Sequence, residues 1–230
     1  MKKTSQILSE VNSFWHSENN PSDYIRSFSH FQDYGKWKNK ELWDKLGLDN
    51  LERLETLKML SGKSEVVNMI EWGVGGGSNA VKFSKEIDFY GVDISRDSIS
   101  ECKRQLKLVH NRNFDSQLIH IQIENPELVP ELIPKVDFFL CTSVFQHFPS
   151  PEYGANVAEI AYDILKDDGI ALIQIKYGEH QNYFNYNENF ARFTLYPIPL
   201  FWALMTQIGF KVLAITLETK TFYAYYYLKK

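Results

Sequence analysis

The spacing of apolar residues changes character near residue 65. Upstream, Leu51, Leu54, Leu57 and Leu60 recur every third position, with Asp49 placed to cap a helix and Gly62 to stop it. Farther upstream, Trp15, Tyr24, Phe28, Phe31, Tyr34, Trp37 and Trp43 alternate with polar residues. They fit a helical cap that packs its aromatics on the rest of the protein, or one that lends some of them to a ligand pocket. Downstream, short apolar runs alternate with amphipathic stretches. Val66, Val67, Met69 and Ile70 form a strand ending in Glu71, and a helix-like stretch runs from Ser78 to Lys85. Phe89, Tyr90 and Val92 form a second strand ending in Asp93, and Ile99, Cys102, Leu106 and Val109 share a helix face. Leu118, Ile119, Ile121 and Ile123 make a third strand, Val136, Phe138, Phe139 and Leu140 a fourth, and Ile170 to Ile175 a fifth. Val157, Ile160, Ala161 and Ile164 line the helix between the last two.

Continuous apolar strands joined by helices predict a parallel sheet buried on both faces. Right-handed crossovers bring every loop that follows a strand to one edge, where ligands of open α/β sheets bind. The chain ends differently. Residues 198–208 read as a helix, and Lys211 to Leu217 and Thr221 to Leu228 as two strands across a short polar turn, hence an antiparallel hairpin. The expected fold is α/β: a Rossmann-like, mostly parallel seven-stranded sheet in three α/β/α layers, with a C-terminal antiparallel hairpin and an N-terminal helical cap. The cap is assigned to residues 1–64 and the main domain to 65–230, with an aromatic lid at about 177–197.

Chemistry concentrates after the first strand, in Glu71-Trp72-Gly73-Val74-Gly75-Gly76-Gly77-Ser78-Asn79. Glycine tolerates positive φ and lets a ligand approach the main chain, and the following helix start favours anions. Asp93, at the tip of the second strand, is placed to accept hydrogen bonds from both hydroxyls of a ribose. A dinucleotide and S-adenosylmethionine (SAM) both fit that much. The dinucleotide fingerprint G-x-G-x-x-G/A fails at Ser78. Glu71 would also repel a pyrophosphate, whereas it attracts the sulfonium and ammonium of SAM.

With these residues in place the chain resembles the class I SAM-dependent methyltransferases of small-molecule type. Glu71-x-Gly73-x-Gly75-x-Gly77 is similar to their first motif, and Gly91-Val92-Asp93-Ile94-Ser95 to their second. The segment from Asp137 to Phe148 resembles the fourth strand and its loop, Gly169 to Ile175 the fifth strand, and the hairpin the reversed seventh strand, so the likeness covers about residues 65–230. It implies that the backbone at Gly73, Val74 and Gly75 lies along the amino-acid portion of SAM, that Glu71 and Gly77 belong to the same cofactor site, and that Asp93 holds the ribose. It further implies that Ile94 packs on the adenine, that Ile123 and Glu124 flank it, and that Cys141 and Thr142 sit under the methionine moiety. Many relatives carry Asp and a small residue after the third strand; Glu124 and Asn125 stand there in this chain. The cofactor is then SAM, with S-adenosylhomocysteine (SAH) as product.

His147, in the loop after the fourth strand, is the candidate catalytic base, able to take a proton as the methyl arrives; a structural histidine is the alternative. His16 and His180 are weaker candidates, and His120, on a strand, reads as structural. Trp15, Tyr34 and Trp37 of the cap and Tyr177, Tyr183 and Phe184 of the lid are the candidate acceptor-binding residues. The sequence contains no Asn/Asp-Pro-Pro-Tyr/Phe signature after the fourth strand, where Cys141-Thr142-Ser143-Val144 stands. That argues against amino groups of nucleic-acid bases as acceptors. A net charge of −4 and a pI near 5.9 argue the same way. The two cysteines, Cys102 and Cys141, match neither a disulfide framework nor a metal spacing. No run approaches the ~20 apolar residues of a membrane span, and no apolar signal core opens the chain. The expectation is a cytoplasmic enzyme, monomer or homodimer, requiring no metal and touching neither nucleic acid nor membrane. It methylates a small-molecule acceptor, most readily at oxygen of a sugar or other polar metabolite. A non-catalytic SAM-binding module and a nicotinamide-dependent oxidoreductase are the alternatives.

Overall fold

The computed structural model describes residues 4–16, 26–111, 113–178 and 194–230. Of the residues singled out above, Tyr24, His180, Tyr183 and Phe184 lie outside this range, as does most of the 177–197 segment. The strands are β1 (Asn68–Trp72), β2 (Asp88–Asp93), β3 (Leu118–His120), β4 (Val136–Cys141), β5 (Leu165–Lys176), β6 (Lys211–Glu218) and β7 (Tyr223–Lys229). The helices are α1 (Thr4–Trp15), α2 (Lys40–Ser61), α3 (Ala80–Phe83), α4 (Arg96–Val109), α5 (Val129–Leu132), α6 (Pro151–Ile164) and α7 (Ile198–Ile208). One sheet runs β3-β2-β1-β4-β5-β7-β6. Its first five strands are parallel, and β7 is antiparallel to both β5 and β6. This is the doubly wound sheet with a terminal hairpin that the apolar pattern predicts.

Side chains alternate across the sheet, and both faces are covered. Ile70, Phe139, Cys141, Ala171 and Ile173 meet Ile160, Ala161, Phe201 and Met205 of α6 and α7. Met69, Phe138, Leu140 and Leu172 meet Leu54 and Leu57 of α2, Phe83 of α3 and Cys102 and Leu106 of α4. The three-layer arrangement is therefore present, and α2 supplies part of the second layer although it precedes β1.

Three element boundaries depart from the sequence expectation. The helix capped by Asp49 in the sequence reading starts earlier, at Lys40, and Asn39 caps it by accepting from the amides of Glu41 and Leu42. Asp49 lies mid-helix and pairs with Lys45 at 2.6 Å. Gly47 is a contact point: a Cβ there would collide with the Ser78 carbonyl, so α2 lies directly against the glycine-rich loop. The helix after that loop is only one turn, because the loop consumes residues through Asn79 and the Ser84 hydroxyl folds back onto the Ala80 carbonyl. β3 stops at His120, although Ile121 and Ile123 remain buried. Gly62 ends α2 in the left-handed conformation, as expected.

Leu57 is fully buried between α2 and the sheet. Leu57→Ala is expected to cost about 2–5 kcal/mol of stability, seen as a lower urea midpoint at unchanged slope. A loss below about 1 kcal/mol would mean that α2 is not an integral layer.

Candidate active site

β1 and β4 are neighbours, but the chain proceeds outward from them in opposite directions. Their carboxyl ends therefore flank the crevice at which such sheets bind ligands. Past Trp72 the main chain bends through Gly73 at φ +81° and Gly75 at φ +50°. A Cβ on Gly73 would run into Val144 across the crevice, so only glycine fits where the loop passes β4. The Gly73 and Val74 amides both donate to the Val92 carbonyl, at 2.8 and 3.2 Å, which ties the bend to β2. The Gly75 amide donates to Asp93 Oδ2 at 3.0 Å, and the Ser95 amide to Oδ1 at 2.8 Å. Asp93 thus anchors the bend as well as facing the crevice.

Two chambers open here. The first is lined by Val11 and Trp15 of α1, Trp72, Asp93, Ile94, Ser98, Ile123, Val144, Phe148 and Tyr153. The second, a cleft of about 460 Å³, is more polar: Trp37, Asn50, Arg53, Glu71, Asn79, Gln146, Gln174, Glu218, Tyr223 and Tyr225 contribute to it. His30, Gly73, Gly75, Thr142, Ser143 and His147 line both, so the chambers meet at the glycine bend and the loop after β4. That loop is held by strain and hydrogen bonds together. Ser143 adopts φ +61°, unusual for a residue with a side chain, and its amide and hydroxyl both donate to Gln174 Oε1, at 2.6 and 3.2 Å.

Most of the residues named from the sequence converge on this crevice, and some do not. Glu71, Gly73, Val74, Gly75, Asp93, Ile94, Ile123, Thr142, His147, Trp15 and Trp37 line one chamber or both. Cys141 is fully buried beneath Thr142. Gly77, at φ +82°, turns the loop where a side chain would crowd Cys102 of α4. Glu124 is exposed and lines neither chamber. Tyr34 packs near Phe28 with ring centroids 6.2 Å apart, and Tyr177 near Phe222 at 5.8 Å, both outside the two linings. His120 bonds the Ile94 carbonyl at 3.1 Å, and His16 bonds the Asn12 carbonyl at 2.7 Å. Asn50, Arg53, Gln146, Gln174, Tyr153 and Tyr225 were not singled out in the sequence. Only Asn79, adjoining the glycine run, carried a local signal.

Glu71 is the most unusual group in the crevice. It is 2% exposed, Oε1 accepts from Asn79 Nδ2, and Oε2 is buried with no hydrogen-bond partner. Burial pushes its pKa up to about 8, opposed by the Asn79 bond and assisted by the negative charge of Asp93. Burial likewise raises Asp93 to about 6, against the pull of the Ser95 and Gly75 amides. An orphaned carboxylate oxygen of this kind calls for a cationic N–H donor from a ligand. With the glycine bend beside it and a second acid beyond, the residues fit an adenosyl cation with an amino-acid tail. Among the described residues, no group of three or more His, Cys, Asp or Glu side chains could hold a metal, and no helix is long and apolar enough to cross a membrane.

Comparison with known proteins agrees. The family described as a methyltransferase domain matches residues 70–171. No curated protein matches the sequence. Among solved structures, magnesium protoporphyrin IX methyltransferase from Synechocystis PCC 6803, crystallised with bound SAH, superimposes with a TM-score of 0.66 at 13% identity, over 96% of this chain and 97% of that one. A cyclopropane synthase from Mycobacterium tuberculosis gives 0.63 at 12% identity over 97% and 98%. A SAM-dependent methyltransferase from Archaeoglobus fulgidus gives 0.56 at 14% identity over 81% and 94%. The matched segment runs from within β1 to within β5 and includes the glycine bend, Asp93 and the loop after β4, whereas Trp15, Trp37, Asn50, Arg53, Gln174 and Tyr225 lie outside it. A nicotinamide-dependent oxidoreductase is thereby set aside: residues 70–171 match the methyltransferase domain family, on a fold shared with the SAH-bound Synechocystis methyltransferase.

Proposed function

We propose that this enzyme methylates a small polar molecule at an oxygen atom, of a sugar or a comparable hydroxylated metabolite, with His147 as the base. The observation that carries this reading is the chemistry of the second chamber, where Gln146 Oε1 is buried without a partner beside His147. An unsatisfied buried acceptor costs about 1–3 kcal/mol, which an O–H or N–H donor on the methyl acceptor would offset. A cleft walled by Asn50, Gln174, Tyr223, Tyr225 and Trp37 suits a ligand with several hydroxyls better than an aliphatic one. The neighbours named for porphyrin and cyclopropane chemistry share the fold at 12–13% identity. The acceptor therefore rests on the cleft rather than on them.

In this reading Asp93 holds the ribose hydroxyls while Ile94 and Ile123 sandwich the adenine. The Gly73–Val74–Gly75 backbone and Thr142 run along the methionine portion, and Glu71 Oε2 takes the α-ammonium. Bound SAM supplies an electrophilic methyl group. Val11 and Trp15 of α1 add apolar wall to the first chamber. His147, whose ring lies edge-on to Trp15 at 5.2 Å, faces both chambers. In this reading it takes the acceptor's hydroxyl proton at a ring nitrogen as the new bond forms. A net charge of −4 supports a free small molecule as partner over nucleic acid.

His147→Ala is expected to lower turnover by roughly 10²- to 10⁴-fold while SAM affinity stays near normal. The assay is transfer of labelled methyl to a panel of monosaccharides, phenols and hydroxy acids. Unchanged turnover would remove His147 as base, and transfer to none of the panel would reject the hydroxylated acceptor. Asp93→Ala is expected to weaken SAM binding at least tenfold, about 1.4 kcal/mol, by isothermal titration; normal binding would refute the ribose assignment.

The raised Glu71 pKa sets a pH dependence. In the ligand-free protein Glu71 is largely protonated below pH 8, whereas an ammonium ligand favours its charged form. SAM binding must therefore release a proton, and affinity must rise with pH. We expect about tenfold tightening between pH 6 and 7.5, below the range where the ligand's own amine, pKa ~7.7–8.0, titrates. Glu71→Gln should abolish both the slope and the proton release measured in two buffers of different ionisation enthalpy. Without ligand the sign reverses: the protonated form suits burial, so this contribution to stability is complete below the ordinary pKa of 4.5 and is lost as pH rises through about 8.

A further inference from the structure

Behind Glu71 runs a line of side chains that leaves the methyltransferase signature altogether. Asn79 Nδ2 donates to Glu71 Oε1, and Asn79 Oδ1 accepts from Asn50 Nδ2 of α2 at 2.9 Å. Asn50 Oδ1 in turn accepts from Arg53 Nη1 at 3.1 Å. Arg53 is fixed from two sides: its guanidinium lies 4.0 Å over the Tyr225 ring of β7, and Nη2 donates to Glu218 Oε1 of β6 at 3.1 Å. Asn50 and Asn79 are each 6% exposed. They have little water with which to exchange partners.

The line has a direction. An amide can present either its oxygen or its nitrogen to a neighbour, but a guanidinium only donates. Arg53 therefore requires the oxygen of Asn50, which turns the Asn50 NH2 group toward Asn79. Asn79 must answer with its oxygen, which turns its own NH2 group onto Glu71. One cation thus sets the orientation of two buried amides and delivers a donor to one chosen oxygen of the carboxylate. The other oxygen, Oε2, is left buried without a partner, on a residue that lines the second chamber. Reversing either amide would set oxygen against oxygen in a buried site.

We propose that Arg53 and Asn50 are positioning residues for cofactor binding: through Asn79 they hold Glu71 so that Oε2 alone is offered to the α-ammonium of SAM. This rests on the reading of Glu71 as the ammonium partner. Glu71, Asn79, Asn50 and Arg53 all line the second chamber, together with Glu218 and Tyr225.

The test compares two ligands by isothermal titration on the full-length protein: SAM, and 5′-methylthioadenosine, which keeps the adenosine and lacks the amino-acid tail. Arg53→Met is expected to weaken SAM about tenfold and to change methylthioadenosine less than about twofold. Asn50→Asp preserves shape and gives Arg53 a carboxylate, but it cannot donate to Asn79; it should weaken SAM by a similar factor. If Arg53→Met does not melt cooperatively, Asn50→Asp carries the comparison. In a Glu71→Gln background, Arg53→Met should add less than about twofold, because the group it positions is already gone. Equal weakening of both ligands, or full additivity with Glu71→Gln, would overturn the relay and leave Arg53 with a packing role only. If Glu71→Gln binds SAM normally, the ammonium assignment falls and the relay with it. If Glu71→Gln binds poorly while Arg53→Met and Asn50→Asp bind normally, the relay alone falls.

Discussion

A carboxylate held out of water at the tip of the central strand is the constraint around which this molecule is organised. Burying a charge without a full set of partners is costly, and proteins meet that cost by neutralising the group or by waiting for a ligand. Glu71 does both: it favours its protonated form when the crevice is empty and keeps one buried oxygen without a partner. The surrounding architecture follows from keeping that carboxylate dry and aimed. β2 and β4 flank it in register, opposite Gly91 and Leu140. The glycine bend beside it leaves main chain rather than side chains against the space a ligand needs.

The sheet and its hairpin were legible because burial on two faces writes itself into consecutive apolar residues, as in Phe138-Phe139-Leu140. The Gly62 stop and the α7–Gly209 boundary were legible because left-handed termini select glycine. Glu71, the glycine bend and Asp93 were legible because they lie within 25 residues of one another, and their spacing reflects one βαβ unit.

What could not be read is equally physical. Asn50, Arg53, Gln174 and Tyr225 come from α2, β5 and β7 and meet only after the sheet has assembled; Asn50 bonds Asn79 across 29 positions and Gln174 bonds Tyr225 across 51. Local periodicity carries no trace of such pairs. The start of α2 was misplaced because Asp49 and Asn39 are both competent caps, and tertiary contact along the whole of α2 decides between them. Glu124 was named from the resemblance, and Tyr34 and Tyr177 as aromatics of the cap and lid; none of the three is in the lining of either chamber.

The missing side chain at Gly47 reaches beyond its own helix. Because α2 rests backbone to backbone on the loop that follows β1, the two segments share one surface with no room for compromise between them. Any inherited change that enlarges residue 47 must be matched by a displacement of the glycine-rich loop at Ser78. A position with no chemical group of its own therefore restricts which descendants of this sequence can still bind SAM.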